Sequence, residues 1–144
     1  MCLTLYLATR DEQPLSESPA LRVEGVTPAA ENVRQWFSLP AVRFIGADTG
    51  CSCGFRHVVA EEPIEYWDGM FDNLDAKQDS MSALVGLIRE LTAAGGEVQL
   101  YPLWNDEVDV KPKGTIELRA DTVDPRTFFF VEGFFYRVQG DPRV

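Results

Sequence analysis

The chain of 144 residues holds one histidine, three cysteines, and 13 lysines and arginines against 23 aspartates and glutamates. Each scarcity excludes something. A formal net charge of −10 repels phosphate backbones and anionic lipid, so nucleic acid and membrane surfaces are not expected partners. No apolar run approaches the ~20 residues that a membrane span requires. The opening Met1-Cys2-Leu3-Thr4-Leu5-Tyr6-Leu7 has neither a basic stretch nor a small-residue cleavage site, which points to a cytoplasmic protein. An odd number of cysteines in a domain able to fold unaided argues against a secreted disulfide framework, so reduced thiols are expected. With His57 the lone histidine, any serine or cysteine triad would depend on it, and no Gly-x-Ser-x-Gly elbow is present. No glycine spacing matches a phosphate loop or a dinucleotide fingerprint. An EF-hand over 68–79 fails, because Met70 stands at its third position and Asn73 at its sixth, where glycine is needed.

What remains suits one ordinary domain over 1–144. Hydrophobic residues at 45% exclude disorder, and a chain of this size buries roughly 68% of its unfolded surface without needing metal or disulfides. Residues 2–9 alternate Leu3, Leu5 and Leu7 with Thr4, Tyr6 and Ala8, the pattern of a strand with one core-facing side. Residues 10–27 read as a long surface loop. Thr27-Pro28 looks like a helix start for a short helix over 28–38, ended by Pro40. Further strands are expected at 42–47, 55–59, 97–103, 115–120 and 127–138, the last apolar on both faces, with Gly133 a bulge. Pro102 would place its strand at an edge or at a strand end. The main helix begins near Asp79 or Ser80, turns Met81, Leu84, Val85, Leu87, Ile88 and Leu91 to one side, and stops at Gly95-Gly96. The expected fold is α+β: a mixed or antiparallel sheet of about six strands, packed by one main and one short helix.

The most specific feature is Gly50-Cys51-Ser52-Cys53-Gly54. Its glycines permit a tight turn, which lets two thiols one residue apart converge. Cys2, Cys51, Cys53 and His57 together form the three-sulfur, one-imidazole set that tetrahedral zinc, or another thiophilic metal, accepts, although Cys-x-Cys is tighter than the usual structural zinc spacing. A dithiol is the second reading, since a Cys51–Cys53 disulfide would close a strained and labile ring. In a third, Cys2 exposed by loss of Met1 would act as an amino-terminal nucleophile, an opening similar to that of the amino-terminal nucleophile hydrolases. The cysteines could equally be buried packing residues.

Seven acids, Glu61, Glu62, Glu65, Asp68, Asp72, Asp75 and Asp79, follow the cysteine loop, with Tyr66, Trp67, Met70 and Phe71 among them. As an interaction module, segment 61–79 would meet a basic protein partner through aromatic anchors. Beside the cysteines the same acids would attract cations and raise thiol pKa values, which favours a metal or structural role over redox chemistry.

The Met1-Cys2-Leu3 to Tyr6-Leu7 opening, Val42 to Gly46 leading into Gly50-Cys51-Ser52-Cys53-Gly54-Phe55, Glu97 to Tyr101 with Trp104, and Phe134-Phe135-Tyr136-Arg137-Val138 together resemble a family of small uncharacterised bacterial proteins. The resemblance implies a bacterial, intracellular, single-domain protein and transfers no activity. The sequence thus points to a cysteine-cluster protein that binds a metal such as zinc, with the interaction module and the Cys51/Cys53 redox protein as alternatives, and to a binding role over an enzymatic one.

Overall fold

The computed structural model describes residues 2–58 and 74–140. Strand β1 (Leu3–Thr9) lies in the middle of a six-stranded sheet. Its neighbours are β3 (Ala41–Gly46) and β5 (Glu97–Trp104), both antiparallel, in registers that set Leu5 opposite Ile45 and Pro102. Beyond β3 the edge strand β2 (Arg22–Gly25) runs antiparallel to it. Beyond β5 come β8 (Phe135–Gln139), antiparallel, and the edge strand β6 (Thr115–Arg119), parallel to β8. The order is β2-β3-β1-β5-β8-β6. A separate parallel pair joins β4 (His57–Val58) to β7 (Phe130–Val131). The architecture is the α+β arrangement read from the sequence, a mixed six-stranded sheet with one main helix and one short one, but the strand expected at 55–59 pairs outside that sheet, with β7.

Both faces of the sheet are covered, and this changes the reading of β1. The odd-numbered leucines Leu5 and Leu7 join Ile45, Leu100 and Val138 under helix α1 (Leu74–Thr92), which contributes Met81, Leu84, Leu87 and Ile88. The even-numbered Tyr6 and Ala8 are buried as well, in a second cluster with Val42, Tyr101, Leu103 and Phe135. The cover on that side includes a 3-10 helix over Pro28–Trp36, which buries Ala30 and Val33 and is tied down by Trp36 Nε1–H donating to the Val108 carbonyl at 2.8 Å. Alternation of leucine with small or aromatic residues therefore marks a strand buried on two faces of unequal depth, not a strand with one wet side.

Four boundaries differ from the sequence reading. The helix is already formed at Leu74, the first residue described after 58, and Ser80 is an interior helical residue whose hydroxyl accepts from the Asp48 amide at 3.2 Å, a tertiary bond in place of a cap. Part of the supposed 10–27 loop pairs as β2. Pro102 sits in an interior strand, but beyond the last β5–β8 pair, Leu100–Tyr136, so no ladder donor is lost there. Residues 127–138 are not one strand: Gly133, at φ +86°, turns the chain between β7 and β8, and its amide donates to the Pro102 carbonyl at 2.8 Å. Apolarity on both faces arose from two short strands in different sheets. Among the described residues no helix is long and apolar enough to cross a membrane.

Candidate functional site: the cysteine turn

β3 ends at Gly46, and the chain must then reverse to reach β4. The Gly50 amide donates to the Ala47 carbonyl and the Ala47 amide to the Cys51 carbonyl, both at 2.9 Å, with Gly50 at φ +87°. That conformation suits glycine and strains any other residue. Gly54 has a different reason: a Cβ there would lie 2.5 Å from the Ala47 Cβ, so the turn closes only without one. Between them Ser52–Gly54 form one 3-10 turn.

The turn takes over the edge of β1 where β3 leaves it. β1 pairs with β3 only from Leu5 onward. There the fully buried Ser52 accepts from the Leu5 amide at 2.8 Å and donates to the Ile45 carbonyl at 2.6 Å, bridging the two strands. One step further the Leu3 amide donates to Cys53 Sγ at 3.2 Å. A serine hydroxyl and a cysteine sulfur thus replace two backbone acceptors, and Ser80 of α1 holds Asp48 at the start of the same turn. The thiols are presented on a rigid mount gripped by β1, β3 and α1.

All three cysteines are free; Cys2 is exposed, and Cys51 and Cys53 are partly exposed. Cys2 is held near the turn by its carbonyl, which accepts from the Asn105 amide at 3.0 Å. The Thr49 hydroxyl lies 3.4 Å from Cys51 Sγ, and the two turn thiols influence each other's ionisation. Burial pushes the Cys51 thiol up, but hydrogen bonds from Thr49 and from the Cys53 amide and thiol outweigh it and bring it below the ordinary cysteine value. Burial also pushes Cys53 up; the Leu3 amide opposes this, the charges of Cys51 and Cys2 add to it, and Cys53 ends above the ordinary value. The pair is therefore polarised, with Cys51 the more acidic thiol and Cys53 the less acidic. The acidic segment was expected to raise both; local hydrogen bonds decide Cys51 instead.

His57 stands apart from this group. It lies on β4, paired with Phe130, and its Nδ1 donates to the Phe55 carbonyl at 2.8 Å. Burial lowers its pKa, the Phe55 bond opposing and the Lys77 charge assisting, so the imidazole is neutral at pH 7. Among the described residues, no three or more His, Cys, Asp or Glu side chains converge on a metal position. The structure thus carries Cys51 and Cys53 on one turn, sets Cys2 within electrostatic reach of Cys53, and places His57 on β4. Tyr66, Trp67, Met70 and Phe71, with most of the 61–79 acids, lie outside the described residues. Sequence reading passed over Thr49 and Ser52; the one available signal was that hydroxyl residues interleave with glycine and cysteine through Thr49-Gly50-Cys51-Ser52-Cys53.

The fold and turn define the protein's class as a single α+β domain carrying a thiol pair on its sheet. In comparison with known proteins, no family model matches the chain, and no curated protein or solved structure does either.

Proposed function

We propose that the protein works by thiol–disulfide exchange, with Cys51 as the attacking thiolate and Cys53 as the resolving thiol. The observation that supports this most is two partly exposed free thiols one residue apart on a turn bonded to β1, with the Thr49 hydroxyl 3.4 Å from Cys51 Sγ. In the first step the Cys51 thiolate attacks one sulfur of a small disulfide R–S–S–R; the Cys51–S–R bond forms, the S–S bond breaks, and R–S⁻ leaves and takes a proton from water. Cys53 then loses its proton to solvent and attacks the Cys51 sulfur, expelling the second R–S⁻ and closing the Cys51–Cys53 disulfide. Two electrons pass from the protein's dithiol to the substrate disulfide, driven by an excess of that disulfide. A reducing cytoplasmic compartment suits such a pair.

Hydroxyethyl disulfide is the probe. Wild type should release two thiols for each protein oxidised; Cys53→Ser should stop at a mixed disulfide on Cys51, identified by mass; Thr49→Val should slow the first step. Equal reaction by Cys51→Ser would sink the proposal.

A thiophilic metal such as zinc on Cys2, Cys51 and Cys53, with His57 as a fourth ligand, is the second reading, supported by three free thiols. Elemental analysis with thiol counting separates the two: one equivalent of zinc and protected thiols favour the metal, whereas no metal and reactive thiols favour exchange.

A further inference from the structure

A second feature lies at the other end of β3, where the 10–17 loop and the ends of β2 and β3 enclose a cleft of about 790 Å³. That is within the size range of small-molecule sites. Among the described residues its walls carry Arg10, Arg34 and Arg43 and Glu12, Glu17 and Glu24. These opposite charges share one cleft without neutralising one another: Arg34 pairs with Glu31, outside the lining, and Glu17 Oε2 accepts from the Val23 amide. Arg43 is the most exacting member. Its Nη1 is buried with no hydrogen-bond partner, in a chain that has ten more acids than bases. Directly across the β2–β3 pairing from Arg43 stands Gly25, and a Cβ built there meets nothing within 4 Å. Cross-strand partners project from the same face, so the missing side chain leaves open the space beside the guanidinium.

We infer that this cleft binds a small zwitterion, a free amino acid or short peptide, with its carboxylate on Arg43 and its ammonium among the facing glutamates. The guanidinium fork matches a carboxylate in two parallel hydrogen bonds. Three arginines against three glutamates make the lining neutral in sum, so a simple anion is not drawn in, while a molecule carrying both signs meets both. The inference is independent of the thiol reading, since no cysteine lines the cleft.

The experiment is an amide-resonance titration of the full chain with a pool of dipeptides bearing free termini, at millimolar concentration. Amides of 23–25 and 41–43 should shift; pools amidated at the carboxyl end or acetylated at the amino end should bind about tenfold more weakly, as expected for one lost charged hydrogen bond. Arg43→Gln should weaken the free pool to a similar extent. Gly25→Leu, which fills open space, should abolish the shifts at an unchanged melting temperature. Absence of shifts with the free pool, equal binding by either blocked pool or by inorganic phosphate, or indifference to Arg43→Gln overturns the inference.

Discussion

Ser52 shows how one residue between two cysteines can matter more to the fold than either of them. Its hydroxyl is buried, and its two bonds tie together β1 and β3 at Leu5–Ile45, the last pair of their ladder. Ser52→Ala should leave the Leu5 amide and the Ile45 carbonyl unsatisfied and lower stability by about 2 kcal/mol, read as a lower urea midpoint at unchanged m value. Cys51→Ser, at a partly exposed position, should shift that midpoint by no more than about 0.5 kcal/mol while removing the exchange reaction. The cysteines were legible because their type and spacing are chemically unusual. Ser52 and Thr49 were not, because their meaning lies in partners: the Leu5 amide is 47 residues distant in sequence, and no local pattern announces it. His57 illustrates the limit of spacing in another way. Four residues from Cys53 it looked available, but β4 leaves the main sheet and carries it toward β7.

At the scale of elements, periodicity was a sound guide wherever one helix or strand met one core. The apolar side of α1 and the strands β1, β3 and β5 came within a residue or two of their observed places, and Gly95, at φ +87°, stops the helix as its composition suggests. The stretch 127–138 misled because two short strands, each apolar for its own reason, adjoin without a polar break. Tyr136 ties them together: its hydroxyl accepts from the Val131 amide at 2.8 Å, and its ring packs edge-on to Phe128 and Phe130. The turn at Gly133 is the weak point of this arrangement, since a Cβ there would also press on the Lys113 side chain at 3.0 Å. Gly133→Ala should cost about 1–3 kcal/mol by calorimetry, where the same substitution at Gly86, on the open side of α1, should be neutral or stabilising.

Across the whole molecule, a sheet covered on both faces leaves its tyrosines without water. Burial, then the charges of Glu132 and Glu107, push the Tyr101 phenol up to about 12; burial pushes Tyr136 up to about 12 against the lowering bond from Val131. Tyr6 moves in the same direction, burial outweighing its bond with Thr4. A folded pKa above the unfolded value of 10 means that the native state holds its protons longer. The stability contributed is complete below pH 10 and is lost as pH rises toward 12. Alkaline titration should therefore show Tyr6, Tyr101 and Tyr136 ionising late and together with unfolding, by phenolate absorbance alongside circular dichroism. Tyr101→Phe should reduce the pH dependence across that window; early, independent ionisation of Tyr101 and Tyr136 would refute the argument.

Composition and periodicity, properties that each residue carries with it, were enough to determine a single α+β domain with one long helix, a sheet of six strands and an unusual pair of thiols in a glycine-bounded turn. Tertiary structure decided how those thiols behave, because their polarity depends on a hydroxyl, an amide and a neighbouring sulfur whose positions only the closed turn sets. It also decided that His57 lies on β4 beside Phe130, and that Arg43 stands opposite Gly25. Such relations join residues distant in the chain, and they come into being only when strand register brings them together.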